Sequence, residues 1–294
     1  MLTVLESIKL STDYLEKKGI ESPRTNAELL LANILICKRL DLYLKFDQPL
    51  KENEIILYRE FIRRRGKFEP LQYITGSVEF FGIEFKVNKS VLIPRPETEI
   101  LVETIINSAG KEENIDILDI GTGSGNIAVS IAMNLPNSKI SAMDNSIDAL
   151  EVAKENAKLN SVENRIDFMN ESILYGFNYP AKKYDIIVSN PPYISAEEFR
   201  VVQPELKVFE PRAALTDEGD GLTFFRIISS KTKTILKEKG KLFFEVGKDQ
   251  SKLVEKILLE NDFQNITIKK DYLNIERVVY GEFEPEARPS LEEN

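Results

Sequence analysis

Apolar residues recur at helical spacing through roughly the first 75 positions, then give way to short apolar runs alternating with amphipathic ones. Leu2, Leu5, Ile8 and Leu10, followed by Tyr14 and Leu15, predict a helix that stops at Gly19. Pro23 and Thr25-Asn26 introduce a second helix over 27–37. A third covers 52–65, with Ile55, Ile56, Tyr58, Phe61 and Ile62 apolar and Gly66 as its stop. Short polar connections between such helices imply a small bundle. The character changes near Leu71. Residues 77–81 and 83–87 flank Gly82 and are rich in Val, Phe and Ile, which predicts a β-hairpin connecting two domains. Next comes Ile93-Pro94-Arg95-Pro96-Glu97-Thr98-Glu99, leading into a helix over 100–108 with Glu97 or Thr98 in capping position.

From Ile115 onward strand and helix patterns alternate. Strands are expected at 115–120, 139–143, 165–169, 184–189, 241–246, 266–269 and 277–280, and helices at 126–134, 146–159, 222–237 and 248–261. Such alternation predicts an α/β fold with a mostly parallel sheet covered on both faces. A short polar loop over 270–275 joins the last two strands, which suits an antiparallel hairpin at the sheet edge. The expected division is a helical domain over 1–75, a hairpin linker over 76–90, a catalytic domain over 91–283 and a loose acidic tail over 284–294.

Composition narrows the chemistry. The 294 residues, 42% hydrophobic and 30% charged, are those of an ordinary globular protein. No apolar run approaches a membrane span, and the first residues lack a signal-peptide pattern, so a cytoplasmic protein with no membrane partner is expected. The single cysteine, Cys37, excludes an intramolecular disulfide and reads as a buried thiol. Histidine is absent, which removes Ser-His-Asp triads, Cys-His pairs and His-ligated metals, and no metal site is expected. Residues 1–89 carry 15 basic and 13 acidic side chains, a balance of +2, while the remainder carries 24 against 35, or −11. That balance speaks against a nucleic-acid surface. One local basic cluster, Arg59, Arg63, Arg64, Arg65 and Lys67, reads as a solvated helix end or a docking patch.

Two stretches carry the chemistry. Asp119-Ile120-Gly121-Thr122-Gly123-Ser124-Gly125-Asn126 joins the first strand to its helix, and glycines there let a ligand approach the backbone. The dinucleotide fingerprint wants Gly or Ala where Asn126 stands. Asp144, ending the second strand, can accept hydrogen bonds from ribose hydroxyls. Asp119 can engage a cationic group, and Glu171-Ser172 would lie beside a base. A nucleoside carrying an amino acid fits this set, which describes S-adenosyl-L-methionine. The second stretch is Asn190-Pro191-Pro192-Tyr193, after the fourth strand. Two prolines stop that strand and leave Asn190 at its carboxyl end, where open α/β sheets bind ligands. Its amide, the Pro191 carbonyl and the Tyr193 ring form a cup suited to a planar amide or amine. The same composition also marks simple turns.

Together, Asp119, Gly121, Gly123, Gly125, Asp144 and Asn190-Pro191-Pro192-Tyr193 resemble class I S-adenosylmethionine-dependent methyltransferases. That resemblance implies a Rossmann-like seven-stranded sheet of order 3-2-1-4-5-7-6 with strand 7 antiparallel. Three segments are similar to those of bacterial release factor glutamine methyltransferases, the HemK/PrmC family. They are residues 93–99, Phe209-Glu210-Pro211-Arg212-Ala213-Ala214-Leu215 and Gly219-Asp220-Gly221-Leu222. The family resemblance implies methyl transfer to the side-chain nitrogen of the glutamine in the Gly-Gly-Gln motif of class I release factors, with S-adenosyl-L-homocysteine as product. It implies catalytic roles for Asn190, Pro191 and Tyr193. Asp119, Gly121, Thr122, Gly123, Ser124, Gly125, Asp144, Glu171, Ser172 and Asn190 would hold the cofactor. Pro192, Arg95 and Glu97 would join the cup in holding substrate, Arg95 and Glu97 as supports. Ser172 stands where some members place an aromatic, which removes a stacking partner for adenine and leaves backbone contacts. A monomer with its helical domain against the protein substrate, and no direct nucleic-acid binding, is expected.

Three other readings stay open. A sister family methylates a ribosomal-protein glutamine but typically has Arg-Ser-Pro where this chain has Arg95-Pro96-Glu97. Adenine-N6 DNA methyltransferases use the same cup on a flipped base. A non-catalytic S-adenosylmethionine-binding scaffold would not need the cup.

Overall fold

The computed structural model describes residues 2–110, 114–175 and 182–285. Two compact units emerge, one from residues up to Ser77 together with Gln203–Phe209, the other from Val78–Val202 and from Glu210 onward.

The first unit is helical. Helices α1 (Val4–Lys17), α2 (Pro23–Ile34), α3 (Glu52–Arg65) and α4 (Leu71–Thr75) enclose Leu15, Leu30, Leu31, Leu42, Leu50 and Tyr58. Thr3 caps α1, its side chain accepting from the Glu6 N–H while Glu6 accepts from the Thr3 N–H at 2.9 Å. Proline occupies the first turn of α2, where its missing N–H costs nothing, so the helix begins four residues before the expected start. It ends at Ile34, and a 3-10 turn over Arg39–Leu44 follows. Cys37 therefore lies outside the helix and is half-buried against the core rather than enclosed. The basic cluster divides. Arg64 holds Glu69 in a two-pronged pair at 2.9 and 2.7 Å. Buried Arg65 donates to Asn26, to the Glu69 carbonyl and to Glu205 at 3.0 Å, tying the 203–209 segment to this unit. Arg59, Arg63 and Lys67 remain exposed.

Strands β1 (Ser77–Phe80) and β2 (Ile83–Lys86) form the expected hairpin. Helix α5 (Pro96–Ser108) begins at Pro96 with Arg95 as its cap residue and no side-chain cap bond. Thr98 is thus not a cap but a buried residue of the first turn. The alternating region follows as β3 (Asp116–Ile120), α6 (Asn126–Asn134), β4 (Lys139–Asp144), α7 (Ile147–Leu159), β5 (Ile166–Asn170) and β6 (Tyr184–Ser189). After it come α8 (Pro204–Phe209), α9 (Arg212–Leu215), α10 (Thr223–Thr232), β7 (Leu236–Glu245), α11 (Ser251–Leu259), β8 (Phe263–Lys270) and β9 (Glu276–Phe283). The sheet order is β5-β4-β3-β6-β7-β9-β8, with β9 antiparallel to both neighbours, which is the expected 3-2-1-4-5-7-6.

Successive strand residues enter opposite layers because side chains alternate across a strand. Ile117, Val188 and Phe243 pack with α5 and α6, while Leu118, Ile187 and Phe244 pack with α10 and α11. Both layers are apolar, as a parallel sheet covered on two sides requires. Two boundaries moved. Ile235 and Leu236 read as helix, but Ile235 lies in a turn where its carbonyl accepts from the Tyr184 N–H and Leu236 pairs with Tyr184, so α10 ends at Thr232 and β7 starts five residues early. Helices α8 and α9 lie where none was expected. The acidic tail falls outside the described residues from 286 onward.

Asn156 of α7, fully buried, ties the hairpin to the first crossover. It accepts from the Lys86 N–H at 2.7 Å and donates to the carbonyls of Lys86 and Ser124 at 3.0 and 2.9 Å. Asn156→Ala leaves those backbone groups buried and unpaired, and is expected to cost about 2–4 kcal/mol in denaturant unfolding.

Candidate active site

A cleft of about 260 Å³ opens at the carboxyl ends of β3, β4, β5 and β6. Its lining includes Gly121, Thr122, Gly123 and Ser124 from the glycine loop, Asp144 from β4, Glu171 and Ser172 after β5, and Asn190, Pro191 and Pro192 after β6. Arg95, Thr98, Ala213 and Ala214 complete one side. Residues from seven distant stretches meet here because parallel strands all deliver their following loops to one edge.

The glycine loop is held tightly. The N–H groups of Gly121 and Thr122 both donate to the Met143 carbonyl, at 2.8 and 2.9 Å. Asp144 accepts from the Gly123 N–H and the Ser146 N–H, each at 2.9 Å, which pins its carboxylate at the cleft wall. Gly121 and Gly123 have φ of +77° and +54°, and a Cβ at either would meet nothing within 4 Å. The backbone conformation demands glycine, and the space beside it is left free for a ligand. Gly125 starts α6 and packs on Ala153 instead of lining the cleft.

Asp119 is fully buried behind the loop. One oxygen accepts from the Thr122 hydroxyl at 2.7 Å and the other, Oδ1, has no partner among the described residues. Burial, reinforced by the Asp144 charge, pushes its carboxyl up to about 7. Glu245, which ends β7, is likewise buried and also pushed up to about 7, mainly by burial, with Thr98, Arg277 and Tyr193 opposing the shift and the Glu97 charge adding to it. Displaced buried acids of this kind are enriched at functional sites.

The cup is braced from behind. Asn190 donates from Nδ2 to the Thr98 hydroxyl at 3.2 Å. The Tyr193 hydroxyl donates to Glu245 Oε1 at 3.4 Å, and burial together with the Glu245 charge raises its pKa well above the usual tyrosine range. Tyr193 does not line the cleft; its ring packs into the layer under α10 and α11. Its carbonyl accepts from Gln250 Nε2 at 2.9 Å, and Gln250 Oε1 accepts from the Gly247 N–H. Gly221 is required there, because a Cβ would meet the Tyr193 carbonyl at 2.5 Å. Buried Glu210 joins two of the sequence segments, accepting from Arg95 and from the Ile93 N–H. Glu97 stands outside the cleft lining and acts on Tyr193 and Glu245 only through its charge. Ser172 turns back to accept from the Leu174 N–H, and Ile173 and Leu174 supply the apolar wall beside it.

Thr98, Glu245 and Gln250 were not read from the sequence as site residues. Only the near repetition of a strand-end acid, Asp144 and then Glu245, offered a signal. Among the described residues no cluster of acids, His or Cys could hold a metal ion, and no helix is long and apolar enough to cross a membrane.

A family model described as the PrmC N-terminal domain matches residues 6–76, and one described as the methyltransferase small domain matches residues 96–222. A release factor glutamine methyltransferase of Fusobacterium nucleatum is 42% identical over 276 residues, which is 94% of this chain and 77% of its own length. The chain belongs to the release factor glutamine methyltransferase family. A member of this family from Geobacter sulfurreducens is 37% identical over 95% of this chain and 96% of its own. A solved methyltransferase from Pyrococcus furiosus shares the fold at 16% identity, with a TM-score of 0.52 over 70% of this chain and 91% of its own. In family terms, the cleft belongs to the methyltransferase unit.

Asp119 binds its proton more tightly in the fold than in the unfolded chain, where a carboxyl of this kind has a pKa of 3.8. Its contribution to stability is therefore full below 3.8 and is lost as pH rises through about 7. Asp119→Asn is expected to flatten the fall in melting temperature on going from about pH 5 to about pH 8, with a gain of a few degrees at the upper end. Thermal melts of both proteins across that range measure it.

Proposed function

We propose that this chain transfers a methyl group from S-adenosyl-L-methionine to the side-chain amide nitrogen of the glutamine in the Gly-Gly-Gln motif of a class I release factor, leaving S-adenosyl-L-homocysteine. The observation that carries this reading is Asn190 at the lip of the cleft, its amide nitrogen committed to Thr98 and its oxygen left for a substrate N–H.

The residues present fit the cofactor. Open space beside Gly121 and Gly123 is a cradle that any Cβ would begin to fill. The orphaned Asp119 Oδ1 suits a cationic amino group, reached directly or through water, and Asp144 keeps unused lone pairs for ribose hydroxyls. Ile173 and Leu174 give the base an apolar wall in place of an aromatic at Ser172. When bound, S-adenosylmethionine supplies an electrophilic methyl group on a sulfonium.

The chain's own residues supply alignment. A glutamine amide nitrogen is a poor nucleophile because its lone pair is shared with the carbonyl. Asn190 Oδ1 and the Pro191 carbonyl accept the two substrate N–H bonds, which favours pyramidal nitrogen and aims the lone pair into the cleft. Positioning of this kind contributes about 7–11 kcal/mol in favourable cases. Tyr193 braces the cup through Glu245 and Gln250, and Arg95 with Glu210 fixes the opposite wall. The proton released after transfer leaves to water, in keeping with a chain that has no histidine. Exposed Arg59, Arg63 and Lys67 on the helical unit are placed to meet an acidic face of the protein substrate.

Labelled cofactor offered together with a class I release factor, ribosomal proteins and duplex DNA tests the reading. Label is expected on the release factor; label on a ribosomal protein or on DNA instead would overturn it. Asn190→Ala is expected to lower kcat by roughly two orders of magnitude while cofactor affinity stays within about two-fold. Wild-type turnover in that variant would remove Asn190 from its role. Reversing the charges of Arg59, Arg63 and Lys67 is expected to raise KM for the release factor by about ten-fold with little change in kcat. Unchanged saturation kinetics would show that docking does not use them.

A further inference from the structure

We propose that Lys231 is a positioning residue for the cofactor: it ties the turn after β5 to α10 and so sets the gap that takes the base of S-adenosylmethionine. The proposal rests on the reading of the cleft as an S-adenosylmethionine site.

The links from β3 to β4 and from β4 to β5 carry the helices α6 and α7. Residues 171–175, which leave β5, form neither helix nor strand, so their backbone groups have no ladder to enter. Two side chains pin them instead. Ser172 Oγ accepts from the Leu174 N–H at 3.2 Å and closes a tight turn. From α10, Lys231 Nζ donates to the Ile173 carbonyl at 2.7 Å and to the Leu174 carbonyl at 3.1 Å, partners 58 and 57 positions away. One ammonium can serve both carbonyls because it carries three donors. Ser172 thereby has a use of its own. Where an aromatic would stack on the base, the serine shapes the turn that carries Ile173 and Leu174.

Lys231 does not itself line the cleft, but its neighbours on the same face of α10 do. Phe224, Ile228 and Lys231 follow at spacings of four and three, so they lie one above another on the helix. Phe224 and Ile228 line the cleft, as do Ile173 and Leu174. Ile173 and Ile228 are buried in one apolar cluster, and Leu174 and Phe224 pack against it. The wall from the turn and the wall from the helix therefore belong to one packed unit, and Lys231 is its polar fastening. A base held by aliphatic side chains depends on dispersion, and a gap of about 0.5–1 Å already forfeits a quarter to a half of that attraction. The turn has to stay close to α10, and an ammonium on two of its carbonyls keeps it there.

The test uses the full chain and reads binding of S-adenosyl-L-homocysteine by titration calorimetry in wild type, Lys231→Met, Lys231→Arg and Leu174→Ala. Lys231→Met, which keeps a long apolar stem and loses the donors, is expected to weaken binding by about ten-fold. 5′-Methylthioadenosine, which has the base without the amino acid, is expected to weaken by the same factor. Lys231→Arg, whose guanidinium also reaches two carbonyls, is expected to recover most of the loss. In turnover with a class I release factor, Lys231→Met is expected to raise KM for S-adenosylmethionine about ten-fold, with kcat and KM for the release factor each within about two-fold. Wild-type affinity in Lys231→Met, or a loss confined to S-adenosylhomocysteine, would overturn the proposal. Should Lys231→Met fail to fold in a thermal melt, Leu174→Ala decides, since it keeps the fastening and removes part of the wall. It is expected to weaken S-adenosylhomocysteine by about three-fold or more, and wild-type affinity there would equally overturn the proposal. A wild type that binds no S-adenosylhomocysteine refutes the cofactor reading, whereas a binding wild type with indifferent variants refutes this inference.

Discussion

Taking carboxylates out of water at the carboxyl edge of a parallel sheet is the constraint on which the site depends. Asp119, Glu210 and Glu245 are all buried, and a buried acid without partners is costly enough to be avoided in ordinary cores. Here each one organises a wall. Asp119 sits behind the glycine loop with one oxygen unpartnered among the described residues, Glu210 draws Arg95 and the Ile93 backbone together, and Glu245 accepts from Tyr193. The sheet makes this possible by sending its crossover loops to the same edge.

Backbone punctuation does the remainder. Gly121 and Gly123 turn the chain away from the space a ligand needs, and Pro191-Pro192 stop β6 where Asn190 clears the sheet. Gly221 lets the loop before α10 touch the Tyr193 carbonyl, which Gln250 then holds. A rigid cup follows from these contacts, and rigidity is what a reaction driven by alignment requires.

Much of this was legible in the sequence because it is local. The alternation of strands and helices, the glycine loop, Asp144 and the Asn190 cup all rest on short patterns whose chemistry stands within a few residues, while the strand order followed from the family resemblance. What was not legible depends on partners far along the chain. Thr98 looked like a helix cap and instead lines the cleft, where its hydroxyl oxygen accepts from Asn190. Glu245, buried at the end of β7, accepts from the Tyr193 hydroxyl, a partner 52 positions away. Asn156 holds both the hairpin and the glycine loop through partners 70 and 32 positions away. The start of β7 was misplaced for a similar reason: Leu236 has no strand pattern of its own and becomes strand by pairing with Tyr184. Tyr193 was expected to face the substrate, while burial of its ring among the β7 and α10 side chains turns it to Glu245.

The central claim is that this cleft presents acceptors to an amide nitrogen and so directs where the methyl goes. The most direct measurement is the position of the transferred methyl in the modified release factor, read by fragmentation of the product peptide in a mass spectrometer. The account predicts a methyl on the side-chain nitrogen of the glutamine in the Gly-Gly-Gln segment. A methyl on a carboxylate oxygen, a lysine or a backbone atom would contradict it.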